Sequence, residues 1–110
     1  MMIRLADGQT LEASSIAKGR TRYDSSVRDA LILDIPLASN DLSTVYAMLS
    51  EENCETITRL EDGQEIEIYP DYCIRAAFEV VSERDDYTGE DVSFIRATMA
   101  RMTYLEKKLR

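Results

Sequence analysis

The chain has 110 residues, 45% of them hydrophobic, with no histidine, no tryptophan and a formal net charge of −8. That length suits one domain around one modest core, read here as residues 1–110, and no stretch approaches the roughly 20 apolar residues a membrane-spanning helix requires. A surface that binds nucleic acid through its phosphates needs an excess of lysine and arginine, so the charge argues against a nucleic-acid partner.

The charge is unevenly spread. Residues 1–40 hold five acids and five bases, residues 41–91 fifteen acids and three bases, and residues 92–110 one acid and five bases, so the segments sum to 0, −12 and +4. An acidic middle and a basic tail attract each other, within one molecule or from one copy to the next. The plainer reading is that such blocks only keep the surface solvated. The opening Met1-Met2-Ile3-Arg4-Leu5-Ala6-Asp7 lacks the long apolar core of a signal peptide, which points to a cytoplasmic setting.

Asp7-Gly8 marks a first hairpin, since this pair readily takes the positive φ angles of tight turns. A three-residue loop over Asp7–Gln9 sets Leu5 opposite Leu11 and Ile3 opposite Ala13, all on one face. Residues 14–27 are small and polar and read as an irregular excursion or an exposed strand and loop. Within them Lys18, Arg20 and Arg22 form a candidate contact surface. From Arg28 to Leu37 a nearly continuous apolar run closed by Pro36 predicts a strand buried on both faces or nearly so.

Ser39, Asn40 and Asp41 offer helix caps, and Leu42, Val45, Tyr46 and Leu49 follow at helical spacing, so a short helix is predicted over about residues 41–50. A second hairpin turns at Asp62-Gly63. A two-residue turn there pairs Ile57 with Ile68, Arg59 with Ile66 and Thr58 with Glu67, which leaves Ile57, Ile66 and Ile68 on a buried face. The outer face then carries Thr56, Thr58, Glu65 and Glu67, and Glu65 and Glu67 become candidate interface residues.

Residues 72–82 alternate as a long strand, Glu83–Asp91 form a turn, and Val92–Ala100 return as a strand before a short basic helix over Thr103–Leu109 that presents Lys107 and Lys108. Val92, Ile95, Met99 and Met102 also fit heptad spacing, so one long C-terminal helix is the rival reading. The sum is a mainly antiparallel α+β domain. It is a sandwich or partly open barrel of five to seven strands, with one short helix inserted between strands and another at the end.

No motif in this sequence assembles a catalytic site. Without histidine there is no Ser-His-Asp triad and no Cys-His pair, and the four glycines never cluster into a phosphate-cradling loop. Cys54 and Cys73 are too few for the common zinc patterns and read as buried reduced thiols. Asp85, Asp86, Glu90 and Asp91 crowd one turn but miss the calcium-loop pattern, because Tyr87 and Gly89 stand where oxygen ligands are required. No catalytic, metal or cofactor site is therefore expected. The six tyrosines, Tyr23, Tyr46, Tyr69, Tyr72, Tyr87 and Tyr104, are candidate interface anchors, although half-burial at strand ends is their commoner use.

The Ile3-to-Gly8 hairpin, the Arg28-Asp29-Ala30-Leu31 strand, the Leu42-to-Leu49 helix followed by Glu51-Glu52-Asn53, and the ending Met102-to-Leu109 resemble small proteins of phages and prophages in Gram-positive bacteria. The resemblance runs over most of the chain. It implies a structural protein of the tail or baseplate type, in the host cytoplasm or the virion, whose partners are further copies of itself or other virion proteins. No functional residue is carried over by it. The alternative is an acidic binding or inhibitor module that engages a basic protein through Glu65 and Glu67.

Overall fold

The computed structural model describes residues 1–109, apart from the side chain of Ser39. The chain opens with β1 (Met2–Arg4) and β2 (Thr10–Glu12), joined by a three-residue loop in which Gly8 takes φ 88°. The loop is Ala6–Gly8, closed by the Leu5 amide donating to the Gln9 carbonyl at 2.9 Å, and the pairing is Ile3 with Leu11 rather than with Ala13. The ladder thus sits two residues from the predicted register. A shift of two preserves the face, so Ile3, Leu5, Leu11 and Ala13 are all buried as expected.

Of the two readings of residues 14–27, the exposed strand and loop holds and the irregular excursion does not. β3 (Ser15–Tyr23) and β4 (Ser26–Pro36) form a long hairpin through a two-residue turn at Asp24 and Ser25, both at positive φ. β4 buries Leu31, Leu33 and Ile35 on one face and Ala30 on the other, where Ile32 and Asp34 are only half-buried, so the run is less enclosed than its composition suggests. A 3₁₀ turn at Leu37–Ser39 leads into α1 (Leu42–Met48). Asp41 caps the helix by accepting from the Thr44 amide at 3.1 Å. Ser39, the other end of the predicted capping stretch, has its side chain outside the described residues.

α1 buries Val45 and Leu49, while Leu42 and Tyr46 stay largely exposed. A cationic clamp docks its last turn. The Arg75 guanidinium lies 3.6 Å from the Tyr46 ring centroid and donates to the Tyr46 and Leu49 carbonyls at 2.9 and 3.1 Å. The unsatisfied carbonyls at a helix end are thereby bonded by a charged donor.

β5 (Thr56–Glu61) and β6 (Gln64–Pro70) turn at Asp62-Gly63 as predicted, and the first pairs, Glu61 with Gln64 and Leu60 with Glu65, follow the two-residue register. A β-bulge between Arg59 and Leu60 then shifts the ladder by one, so that Arg59 pairs with Glu67, Thr58 with Ile68 and Ile57 with Tyr69. One residue of slip exchanges the faces. Ile57 is buried as expected and Tyr69 is buried beside it, but Ile66 and Ile68, expected inside, stand about half exposed, and Thr58, expected outside, is buried.

β7 (Ile74–Arg84) and β8 (Asp91–Ala100) form the longest hairpin, followed by α2 (Tyr104–Lys108). Strand and short helix, not one long helix, therefore occupy residues 92–109. Thr103 and Glu106 make a reciprocal capping box that fixes where α2 begins.

The strands form two four-stranded antiparallel sheets, ordered β2-β1-β5-β6 and β3-β4-β8-β7. This is the mainly antiparallel α+β class expected. Eight strands are counted among the described residues instead of five to seven, because β3 is a full strand. One core draws Ile3, Leu11 and Ile57 from the first sheet, Leu33, Ile95 and Met99 from the second, and Val45 and Leu49 from α1. No helix among the described residues is long and apolar enough to cross a membrane.

Candidate functional site: two charged hairpin tips

Strand register places the chemistry. β4 runs antiparallel to both β3 and β8, with Tyr23 opposite Ser26 at one end of the sheet and Pro36 opposite Phe94 at the other. The β3–β4 turn and the β7–β8 turn therefore point in opposite directions. From Ser26 to Pro36, and on from Phe94 to Asp91, the sheet runs roughly 43 Å at about 3.3 Å per residue, in a molecule 49 Å long.

The two ends differ in sign. Residues 83–91, at the β7–β8 tip, hold five acids and one base, whereas residues 20–28, at the β3–β4 tip, hold three bases and one acid. At the acidic tip the Asp85 carboxylate accepts from the Tyr87 amide at 2.8 Å, which folds the turn, and the Tyr87 side chain is wholly exposed. At the basic end α2 and the Arg101–Thr103 segment lie against the β3–β4 hairpin. The Arg101 amide donates to the Asp29 carbonyl at 2.9 Å, and Arg28 pairs with Glu106 at 2.5 Å.

Between these elements is an open groove of about 550 Å³, lined by Val27, Met102 and Tyr104, by the bases Arg20, Arg28, Arg101 and Lys107, and by the acids Asp29 and Asp71. Arg20 and Arg22 make no ion pair among the described residues. α2 buries none of its side chains and leaves Tyr104, Leu105 and Leu109 mostly exposed beside the groove.

The other sequence-selected charges are engaged inside the chain. Lys18 lies 3.0 Å from Glu67, and the Tyr69 hydroxyl donates to the same carboxylate at 2.9 Å. Lys18 holds the Glu67 carboxyl below its usual range, with Tyr69 helping, and Glu67 in turn raises Lys18. Glu65 pairs with Arg4 on the opposite face of its strand. The bulge thus splits Glu65 from Glu67, so the two do not make one acidic face. Lys107 reaches Asp71 at 2.9 Å, and Lys108 lies 5.0 Å from the Tyr104 ring. Of the predicted set, Arg20, Arg22, Lys107 and Lys108 gather at the basic end. Lys18 belongs to the seam between the sheets.

Another cleft, of about 1010 Å³, lies between the β1–β2 loop and α1. Asn53 ties its walls together, accepting from the Asp7 amide at 2.9 Å and donating to the Met48 carbonyl at 2.8 Å. The thiols of Cys54 and Cys73 are buried, and burial, with Cys73 close by, pushes the Cys54 thiol up to about 12. A thiol so held is a poor nucleophile. Sequence reading singled out Tyr87 only as one tyrosine among six, and it passed over Arg101, whose proximity to Asp29 depends on the β3–β4 hairpin. Comparison of the chain with protein-family models, with curated proteins and with solved structures finds no match.

Proposed function

We propose that this chain is a non-enzymatic structural or assembly protein that works by joining copies of itself, or joining itself to neighbouring proteins, end to end. The observation that carries this reading is the separation of opposite charge onto two hairpin tips at opposite ends of a 49 Å molecule. Such tips cannot satisfy each other within one copy. Contact between unlike patches is heterologous, and it propagates into rings or filaments according to the rotation between copies. The resemblance to phage and prophage proteins supplies the setting, a tail or baseplate component of the virion assembled in the host cytoplasm.

Sedimentation tests this directly. The mass of the purified chain should rise with concentration at low salt and fall back toward the monomer at about 0.5 M salt, where the screening length is only a few ångströms. A monomer at every concentration and low salt would count against self-assembly, and substrate turnover abolished by one acidic or thiol substitution would overturn the reading altogether. The projecting acidic tip also supports a second reading, a module that engages a basic protein partner. That module would show salt-sensitive heterologous binding by a chain that stays monomeric.

A further inference from the structure

We infer that the basic-end groove is a socket for the β7–β8 tip of a second copy, with Tyr87 as the inserted side chain and Asp85, Asp86 and Glu90 as its flanking charges. The inference rests on the assembly reading and adds the two surfaces that meet. The two halves are complementary in charge, five acids and one base at the tip against four bases and two acids lining the groove. Tyr87 is fully exposed at the end of a two-stranded arm, where a ring gains nothing from folding and stands ready for a partner. The groove of about 550 Å³ offers apolar walls from Val27, Met102 and Tyr104. Its lining carries four bases against two acids, Asp29 and Asp71, and the bases Arg20 and Arg101, which make no ion pair among the described residues, supply cations for an aromatic face and for the carboxylates beside it.

The groove's own charges leave this role open. Arg28 is occupied by Glu106 and holds α2 in place, and Lys107 is occupied by Asp71, whereas Arg20 makes no ion pair among the described residues. The Arg101 side chain is exposed, makes no ion pair among the described residues, and has its guanidinium 5.6 Å from the Tyr72 ring centroid. Tyrosine and arginine are among the residue types in which interface hot spots are enriched. The tip and the socket of one molecule lie at opposite ends of the same sheet, so the tip reaches only another copy's socket.

Two variants test the pairing, each changing only exposed side chains. Tyr87→Ala with Asp86→Ala disables the tip, and Arg20→Glu with Arg101→Glu disables the socket. Circular dichroism and thermal melting establish that both fold. Each alone should weaken self-association at least about thirty-fold, the effect of losing one interface hot spot. Mixed in equal amounts, they should form a dimer and stop there, because that dimer has one intact tip seated in one intact socket and no second working pair. Wild-type chains that assemble while both variants assemble equally well would overturn the socket and leave the assembly reading standing. Wild-type chains that stay monomeric would overturn both. Variants that are each monomeric but give no dimer on mixing would show that tip and socket do not meet.

Discussion

Glu106 is where the basic end is fastened. Its carboxylate accepts from the Thr103 amide at 2.9 Å and pairs with Arg28 at 2.5 Å, while its own amide donates to the Thr103 hydroxyl at 3.2 Å. The Thr103 amide first, and the Arg28 guanidinium second, hold this carboxyl down at about 2. Because the folded value lies below the ordinary 4.5, the stabilisation is complete above about pH 4.5 and fades as pH falls toward 2. Glu106→Gln leaves the largely buried Arg28 without its counter-charge and should cost about 1–3 kcal/mol. Urea midpoints of the two proteins should differ equally at pH 7 and pH 5, and the gap should narrow between pH 4.5 and pH 2. A gap that stays constant down to pH 2 would mean that the carboxylate is not the group responsible.

At the scale of elements, the β5–β6 bulge decides which side chains are core. In the uninterrupted register Ile66 and Ile68 would be buried, and replacing each by threonine would cost well over 1 kcal/mol. In the observed register both are about half exposed and Tyr69 takes the interior position. Ile66→Thr and Ile68→Thr should therefore stay within about 0.5 kcal/mol of the parent, while Tyr69→Ala should cost about 3–5 kcal/mol. Urea denaturation of the three variants checks the ranking, and the opposite order would restore the unbulged hairpin. Turn chemistry was legible here because Asp62-Gly63 takes the positive φ angles a two-residue turn needs. The bulge was not, since Ile66 and Ile68 alternate with Glu65 and Glu67 in a pattern that looks complete, and only the competition with the larger Tyr69 ring breaks it. The β3–β4 hairpin stayed one of two alternatives, an exposed strand and loop against an irregular excursion, for a related reason: its turn uses Asp24 and Ser25, with no glycine to announce positive φ. Strand β8 was legible over the heptad alternative because Phe94, Ala97 and Ala100 are apolar at positions a heptad would expose.

Across the whole molecule, the sum of charge over each segment could be read from sequence, but its direction could not. Direction comes from register, which sends residues 20–28 and 83–91 to opposite ends and lets Lys18 and Glu67 neutralise each other between the sheets. That seam also holds the two thiols. Cys54 precedes β5 of the first sheet and Cys73 precedes β7 of the second, and both belong to the core that the sheets share. Reaction with a thiol reagent requires a thiolate in contact with solvent, and burial together with the raised Cys54 thiol denies both. Labelling then waits on opening of the core. If the two sheets unfold as one unit, Cys54 and Cys73 should label with the same dependence on urea. Both should react at least about a thousand-fold more slowly than in the denatured chain, as a stability of even about 4 kcal/mol requires. Mass spectrometry of peptides from partly labelled protein reads the two sites separately. Faster labelling of one cysteine, with a shallower urea dependence, would show that its sheet opens while the other remains folded.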